Sequence, residues 1–366
     1  MVYPSLSGES QNTAMMRRRE RRYPYLKSSL NTVYRAFRLY SANRSMKAWG
    51  VFARHLYRSR VLKKPNPPFI TIAPTYRCPC SCVHCGIYEK GRRGEAEIST
   101  LQIKSVIDQA KRLGVLQVTF TGGEPMMRQD LYELIRYAHI RGLLTRLNTS
   151  GLFLSKSNVT RLKSAGLTQC AVSIDDADPA IHDRLRGVPG AFDCALRGIG
   201  YLKDAGIPCQ INTYASRRMV TRGLEKIITL GRRLGVLAVY IIMPVAIGRW
   251  NEMYSRVLSE EEKSRVRALQ EMTFVHLELA TDKTLCGVYQ KGILFVSPQG
   301  QITPCPFVSF PFGNIADLSL KNVWMEHCSR LRETIRGECP MNDPGRRKEL
   351  ARHVRSVALC AGKSDF

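Results

Sequence analysis

Six short apolar stretches alternate with helix-like patterns between residues 69 and 243, and this alternation restricts the possible folds more than any other feature of the chain. Strands that alternate with helices form βα units, and consecutive units build a parallel sheet covered by helices. The pattern alone leaves two arrangements open, an open doubly wound sheet and a partial barrel. The predicted strands are 69–73, 116–120, 144–148, 169–174, 208–213 and 238–243, and the predicted helices lie at about 100–113, 128–142, 155–165, 192–205 and 220–234.

Three cysteines with a compact spacing follow the first predicted strand. Cys78, Cys82 and Cys85 form a Cys-x3-Cys-x2-Cys run. Thiolates are the preferred ligands of iron–sulfur clusters, and three on one loop can hold three irons of a [4Fe-4S] cluster while the fourth iron stays open. Zinc sites usually contain two separated ligand pairs, and no second pair follows here. The spacing therefore favours an iron–sulfur cluster, with Cys80 as a bystander between the ligand positions.

A glycine-containing turn follows the second predicted strand. Gly122 and Gly123 allow a ligand to approach the backbone closely, and the Glu124 carboxylate, just before Pro125, can pair with a ligand ammonium group. The C-terminal ends of parallel strands lie at one edge of a sheet or barrel, which is where such folds bind ligands. We therefore expect this turn and the cysteine run to share one site.

Together, the two motifs resemble those of the radical S-adenosylmethionine (SAM) superfamily, over roughly residues 69–343. The resemblance implies a partial (β/α)6 TIM-like barrel. It also implies that the three cysteines bind the cluster, that SAM chelates the open iron through its amino and carboxylate groups, and that the Gly122–Pro125 turn surrounds its methionine end. In this family reductive cleavage of SAM yields a 5′-deoxyadenosyl radical that abstracts hydrogen from a substrate. The family usually has an aromatic residue before the third cysteine, where this chain has His84, whose imidazole can also cover the cluster.

Polar residues at the ends of the third and fourth predicted strands are further candidates for SAM binding. Ser173 and Asp175 can bind the ribose hydroxyls, and Arg184 or Arg186 can hold the SAM carboxylate with a planar fork of donors. Each of these residues could instead be a surface residue that caps the next helix. The full set of candidates is Asn148, Ser150, Ser173, Asp175, Arg184 and Arg186.

The C-terminal part of the chain carries a second group of cysteines. Two predicted strands, 293–296 and 301–303, form a hairpin that leads into Cys305. With Cys286 and Cys339, this segment resembles the SPASM or twitch extension of radical SAM enzymes. The resemblance implies a small α+β domain in which the three cysteines bind an auxiliary iron–sulfur cluster.

The fourth ligand of such a cluster stays open. No close partner follows Cys339, whereas full SPASM domains carry seven cysteines and twitch domains usually end in a close pair. Cys360 or an iron open to substrate is favoured over Cys328, which falls inside a predicted helix at 319–335. The remaining cysteines, Cys170, Cys194 and Cys209, are expected to be ordinary reduced thiols.

Residues 1–65 contain 15 Lys or Arg and only two acidic residues, and so account for half of the net charge of +26. The segment has the spacing of one or two basic amphipathic helices, which can lie on an anionic membrane surface, bind an acidic partner or pack against the rest of the protein. No apolar stretch approaches the length of a transmembrane helix. We therefore expect a cytoplasmic protein, with a peripheral contact to the inner membrane face through residues 17–60 as one option.

The domain organisation and the substrate follow as expectations. The expected partners are an electron donor such as a ferredoxin or flavodoxin, and a peptide or protein substrate. A lipid, isoprenoid or tetrapyrrole precursor at the membrane surface is the alternative, and a non-catalytic iron–sulfur or zinc module that binds nucleic acid is disfavoured because no motif for it is present. The expected parts are a basic helical segment (1–65), a barrel (69–250), a helical connector (251–285), an auxiliary-cluster domain (286–345) and a basic tail (346–366).

Overall fold

The computed structural model describes residues 67–87, 89–90, 94–271, 273–278, 293–308, 310–328 and 339–360, together with Gly50, Ala53 and Tyr57. Apart from those three residues, the predicted N-terminal helices lie outside the described residues, as does Cys286. Within them, no helix is long and apolar enough to cross a membrane.

In the described part of the chain, ten strands form one sheet in the order β10-β9-β8-β1-β2-β3-β4-β5-β6-β7. Neighbours from β8 through β1 to β7 are parallel, and β9 and β10 are antiparallel additions at one edge. The strands are β1 (Phe69–Thr75), β2 (Gln117–Gly122), β3 (Leu144–Thr149), β4 (Gln169–Ser173), β5 (Cys209–Tyr214), β6 (Ala238–Ile242), β7 (Val275–Glu278), β8 (Ile293–Val296), β9 (Gln301–Thr303) and β10 (Gly313–Asn314).

The order of the parallel strands distinguishes the two arrangements that the pattern left open. A doubly wound sheet reverses its strand order at a switch point, whereas β1 to β7 follow one another in chain order, as in a barrel. The expected partial barrel is confirmed. The parallel part of the sheet has more strands than the six predicted, because β7 is added at one edge and β8 pairs in parallel with β1 at the other.

Helices cover one face of the sheet and begin where the sequence supplies caps. The Ser99 hydroxyl accepts a hydrogen bond from the Gln102 amide, the Gln102 side-chain oxygen accepts one from the Ser99 amide, and Gly114 ends the first helix in a left-handed conformation. The helices are α1 (Thr100–Leu113), α2 (Leu131–Ile140), α3 (Lys156–Ser164), α4 (Pro179–Arg186), α5 (Ala191–Asp204), α6 (Leu224–Leu234), α7 (Glu260–Ala268), α8 (Leu320–Asn322) and α9 (Pro344–Cys360).

Several elements differ from the sequence prediction. The first residues of the predicted helix at 220–234 form the wide π turn Met219–Gly223. The described part of the helix predicted at 319–335 is the short α8 followed by the π turn Val323–Cys328. Helix α4 was not predicted because its sequence is polar and buries only His182 and Arg186. The segment expected as a basic tail contains helix α9.

The two faces of the sheet have different chemistry. Alternate side chains such as Ile70, Val118 and Val172 pack against the helices in one large apolar core. The opposite, inner face carries polar side chains in register, with Thr119 beside Arg146 and Arg146 beside Gln169. A barrel with a polar interior can bind a polar ligand beneath the strand ends where the predicted motifs lie.

Candidate functional site

The cysteine loop after β1 is held in place from two sides. The Ser81 and Val83 amides donate hydrogen bonds to the carbonyls of Arg186 and Leu185 at the end of α4, at 2.9 and 3.1 Å. On the other side, the Arg249 guanidinium donates to the Ser81 carbonyl at 2.7 Å, and the Arg249 amide donates to the carbonyl of Cys85. The loop is therefore fixed by elements that follow β4 and β6.

The three predicted ligand thiols differ in exposure. Cys78 is exposed, Cys85 is half-buried and Cys82 is buried. A hydrogen bond with Cys80 and then burial raise the pKa of Cys82, and burial raises the pKa of Cys85. A buried thiolate that binds a metal needs a nearby cation to offset its negative charge. The Arg186 guanidinium can serve this purpose, because its Nη1 atom lies 3.6 Å from the Cys82 sulfur.

The predicted bystander Cys80 lies between two of these thiols. Its amide is 3.4 Å from the Cys78 sulfur, and hydrogen bonding to Cys78 raises the pKa of Cys80 to about 12. As folded, the described residues include no group of three His, Cys, Asp or Glu side chains already placed to hold a metal ion. The fit to a cluster therefore rests on donor chemistry, namely three thiols on one anchored loop beside a buried cation.

An aromatic group packs beside the loop. The His84 ring stacks on Tyr214 at 4.4 Å between centroids, and Trp250 lies edge-on to both rings. Burial lowers the pKa of His84, so the imidazole is neutral at physiological pH. His84 therefore packs as an aromatic ring, at the position before the third cysteine where the family usually has an aromatic residue.

A buried ion pair lies behind the loop. Arg186 Nη2 is 2.8 Å from Asp175 Oδ2, and His84 Nε2 is 3.6 Å from the same oxygen. Burial acts to raise the pKa of Asp175, but the Arg186 guanidinium holds that pKa below its ordinary value. Asp175 and Arg186, predicted separately as ligands of the ribose and the carboxylate of SAM, are thus bonded to each other.

His182 fixes the position of Asp175. Its Nδ1 accepts a hydrogen bond from the Asp175 amide at 3.1 Å. Burial, aided by the charge of Arg186, lowers the pKa of His182 to about 4, so this nitrogen remains available as an acceptor at neutral pH. Helix α4 therefore positions both the cysteine loop and the carboxylate behind it.

The turn after β2 lies directly against the cysteine loop. The Gly123 and Glu124 amides donate to the carbonyls of Thr75 and Arg77 at 3.0 and 2.8 Å. A Cβ atom on Gly123 would lie 2.3 Å from the Arg77 carbonyl oxygen, and Gly122 has a φ of +132°. Only glycine permits this approach, so the two motifs form one continuous surface at the strand ends.

The Glu124 carboxylate is fully buried and connects two strand ends. It accepts hydrogen bonds from the Thr149 hydroxyl at 2.9 Å and from the Ser150 amide and hydroxyl at 2.8 and 2.6 Å. Burial raises the pKa of Glu124, although the hydrogen bonds act to lower it. The predicted partner of a ligand ammonium thus also holds the β2 and β3 ends together.

Glu124→Gln is expected to lower the free energy of unfolding by about 1–3 kcal/mol, because an amide loses the charge-assisted bonds and presents a donor to Ser150. Denaturant unfolding measures this change. Glu133→Gln removes a half-exposed carboxylate that pairs with Lys104, and is the matched control with an expected change below about 0.5 kcal/mol. Equal effects of the two substitutions would contradict the structural role of Glu124.

The remaining predicted SAM contacts lie at the ends of β3 and β4, on the inner face of the sheet and on α4. Ser150 and Ser173 are half-buried at the ends of β3 and β4, and Arg184 is exposed on α4. Asn148 is half-buried on the inner face and accepts a hydrogen bond from Arg146. Their roles stay predictions.

The cysteines of the C-terminal segment lie near the edge and the end of the sheet. Cys305 is half-buried directly after β9, and Cys339 is buried before a short 3-10 turn. Asn342 in that turn accepts from the Ala246 amide at 2.9 Å and donates to the Pro244 carbonyl at 3.2 Å, after β6. Cys339 is thereby fastened to the C-terminal end of the barrel.

Comparison with known proteins agrees with this geometry. A family model described as the radical SAM superfamily matches residues 72–230, and one described as an iron–sulfur cluster-binding (SPASM) domain matches residues 286–350. The AdoMet-dependent heme synthase of Nitratidesulfovibrio vulgaris is 32% identical over 317 residues, which cover 76% of this chain and 86% of the relative. The chain belongs to the radical SAM superfamily. As an enzyme of this family with a SPASM domain, it uses a [4Fe-4S] cluster, SAM and auxiliary iron–sulfur chemistry.

Two further radical SAM proteins extend the comparison. The PqqA peptide cyclase of Gluconobacter oxydans is 32% identical over 301 residues, which cover 77% of this chain and 83% of the relative. The solved structure of Streptococcus suis SuiB bound to the precursor peptide SuiA has a TM-score of 0.60 and 16% identity, and covers 76% of this chain and 70% of that chain. The SuiB structure supports the fold.

Sequence reasoning missed three residues that shape this site. Arg249 binds the cysteine loop, Tyr214 stacks on His84, and Arg146 projects from the inner face of β3. The signal for Tyr214 was its place at the end of the fifth strand, and the signal for Arg146 was a charge inside an otherwise strand-like stretch. Arg249 lies in the Gly248–Trp250 run after the sixth strand, a candidate rim of the substrate site. Its contact to the cysteine loop gave no local signal, because it spans more than 160 residues of chain.

Proposed function

We propose that this radical SAM enzyme abstracts a hydrogen atom from a peptide or protein side chain. The observation that carries the proposal is the match to the Gluconobacter PqqA peptide cyclase over 83% of its length. The mycofactocin maturase of Mycobacterium tuberculosis, 31% identical over 281 residues, supports it further. The polar inner face of the barrel suits a peptide, whose amides need hydrogen-bond partners when they are buried.

In this proposal Cys78, Cys82 and Cys85 hold the cluster. When bound, the cluster and SAM supply a radical able to abstract hydrogen from an unactivated C–H bond. The chain itself positions the cysteine loop. Helix α4 and Arg249 anchor this loop, and Gly123 lets the turn after β2 pack directly against the backbone of the loop. The neutral His84 ring, stacked on Tyr214, shields one side of the loop from water.

The proposed contacts to SAM come from the ends of β2, β3 and β4. The Gly122–Pro125 turn would surround the methionine end of SAM, and Ser150 and Ser173 would supply hydroxyl groups to SAM. Asp175 and Arg186 act from behind the cysteine loop as a bonded pair. Arg184 is exposed and is therefore the arginine still available to hold a carboxylate.

We assign Cys286, Cys305 and Cys339 to the auxiliary cluster, with Cys360 or an open iron as the fourth position. A Cys305→Ala, Cys339→Ala double variant is expected to lose about four irons per chain relative to the wild-type protein, because one cubane loses two ligands. Iron and sulfide counting after anaerobic reconstitution measures this loss. Cys194→Ala, at a half-buried helical cysteine, is the control, and an unchanged iron content of the double variant would contradict the assignment.

Deuterium transfer tests the proposed substrate class. The reconstituted enzyme, reduced with dithionite, is supplied with SAM and with either the peptide fraction or the small-molecule fraction of deuterated cells. We expect deuterium in 5′-deoxyadenosine only with the peptide fraction, because hydrogen abstraction labels that product. Labelling only by the small-molecule fraction would contradict a peptide substrate.

The second candidate substrate is a tetrapyrrole precursor. It is favoured by relatives named AdoMet-dependent heme synthases, which are 32% identical in Nitratidesulfovibrio vulgaris and 31% in Methanosarcina barkeri. The membrane contact proposed for residues 17–60 belongs to this candidate. Co-sedimentation with anionic vesicles that survives deletion of residues 1–60 would contradict that contact.

An acidic electron donor such as a ferredoxin or flavodoxin suits a chain with a net charge of +26. Reduction by such a donor is expected to slow as the ionic strength rises, because salt screens the attraction. A rate that does not change with salt would contradict electrostatic docking.

A further inference from the structure

Arg146 is a cation on the inner face of the barrel, on β3 between Thr119 of β2 and Gln169 of β4. Its side chain is half-buried. The Nε atom donates to Asn148 Oδ1 at 3.1 Å, and the guanidinium carbon lies 5.4 Å from the centroid of the Tyr240 ring. These two contacts fix the plane and the direction of the guanidinium.

The guanidinium of Arg146 lacks a counter-ion in the part of the chain that the structure describes. No carboxylate there lies within 4.0 Å of Arg146, whereas the buried Arg128 is 2.7 Å from Asp130 and the buried Arg186 is 2.8 Å from Asp175. Withdrawing a charge from water without a partner is costly. An oriented but unpaired cation in a barrel therefore suggests that a ligand supplies the negative charge.

The surrounding amides do not supply that charge. Gln169 Nε2 donates to Gln210 Oε1 at 2.6 Å, and Gln210 Nε2 donates to Asn212 Oδ1 at 2.9 Å. This row of amides is largely satisfied internally and carries no net charge. Arg146 is oriented by its contacts to Asn148 and Tyr240, and among the described residues its Nη1 and Nη2 atoms have no hydrogen-bond acceptor.

We propose that Arg146, Asn148 and Tyr240 form a subsite for a carboxylate group of the substrate. The two Nη atoms of an arginine form a planar fork that matches the two oxygens of a carboxylate. Asn148 holds the fork through Nε, and the Tyr240 ring covers one face of the guanidinium. The inference rests on the proposed function in one respect, that the substrate enters the interior of the barrel.

Two sources of carboxylate fit this chemistry. A peptide would supply the side chain of Asp or Glu, and a small organic acid would supply a propionate-like chain. In either case the charge of Arg146 would favour acidic substrates over neutral ones.

Saturation-transfer NMR on the reconstituted, SAM-loaded chain tests the proposal with matched probes. The probes are N-acetylglutamate methylamide and its glutamine counterpart, and propionate and propionamide. We expect the acidic probes to gain at least about fivefold more saturation than the neutral ones, because a bidentate charged pair is lost in the amides. Arg146→Gln should remove this difference, and Arg146→Lys should retain part of it.

Arg161→Gln is the matched control, because Arg161 is an exposed arginine that also lies over a tyrosine ring, 3.9 Å from the centroid of Tyr132. Its substitution should leave the difference between acidic and neutral probes intact. If Arg146→Gln fails to fold, Tyr240→Leu serves instead and should reduce the difference. A difference that survives substitution of both Arg146 and Tyr240, or that falls equally in the Arg161 variant, would overturn the subsite.

The two pairs of probes separate this inference from the proposed peptide substrate. Arg146-dependent binding of both acidic probes supports the subsite and agrees with a peptide. Arg146-dependent binding of propionate alone supports the subsite and counts against a peptide. Equal saturation by acidic and neutral probes in the wild-type protein overturns the subsite, whichever fraction labels 5′-deoxyadenosine.

Discussion

Cys82→Ala is expected to reduce the dithionite-driven cleavage of SAM to the level of a protein-free control. Cys82 is the buried central thiol of the cysteine loop and the one closest to the buried Arg186 guanidinium, at 3.6 Å. Removing one of three ligands on one loop leaves two, which is too few to hold a site-differentiated [4Fe-4S] cluster. Anaerobic chromatography of 5′-deoxyadenosine measures the loss.

Cys80→Ala is the matched control for this prediction. Cys80 is also buried, lies two residues away, and hydrogen-bonds to Cys78 and Cys82. It is outside the Cys-x3-Cys-x2-Cys spacing, so its alanine variant should retain cleavage. Cleavage at the wild-type rate by the Cys82 variant would show that this loop does not hold the catalytic cluster.

Arg186→Met is expected to lower the free energy of unfolding by about 3–5 kcal/mol. The substitution leaves the Asp175 carboxylate, 3% exposed, without the guanidinium that lies 2.8 Å from it. It also removes the cation beside Cys82, whereas the main-chain hydrogen bonds from the cysteine loop to α4 remain possible. Denaturant unfolding of the wild-type and variant proteins measures the change.

A double-mutant cycle separates the buried charge from packing. Adding Asp175→Asn to Arg186→Met should recover part of the loss, because no uncompensated charge remains. Arg141→Gln, which breaks an exposed pair with Asp108 at 3.0 Å, is the control, and it should change the stability far less than Arg186→Met does. Additive effects of the two buried substitutions would contradict a direct coupling.

The same pair has a defined pH dependence. The folded-state pKa of Asp175 is below its ordinary value, so its contribution to stability is present above the ordinary carboxyl pKa and is lost as the pH falls through the folded-state pKa. Asp175→Asn should therefore flatten the acid side of the stability profile. Thermal unfolding of both proteins from neutral to acidic pH measures this difference.

Much of the barrel followed from local patterns. The six predicted strands are present with shifts of one or two residues at their ends, because each is a short apolar run bounded by turn residues. The hairpin of β8 and β9 was predicted with the observed bounds. Helix α4 was missed because it is held by contacts to the cysteine loop and carries no apolar stripe of its own.

The site residues also fall into two groups, those that local sequence predicted and those that depend on tertiary contacts. The cysteine spacing and the Gly122–Pro125 turn were predicted, because a loop ligand set and a close backbone approach depend on residues that are neighbours in the chain. Asp175 and Arg186 were predicted as two separate contacts to SAM, whereas the structure pairs them. Sequence alone could not show the pair, because the return of α4 beneath the cysteine loop is a tertiary contact.

The sequence by itself determined the superfamily, the parallel βα order and the thiols available for a cluster, because spacing and strand periodicity are properties of the covalent chain. Only the tertiary structure decided which charges are neutralised and which are not. Arg186 meets Asp175 and Arg146 meets Tyr240 through strand register and helix packing. Burial then makes the paired arginine a support for the loop, and leaves Arg146, on our proposal, to a carboxylate of the substrate.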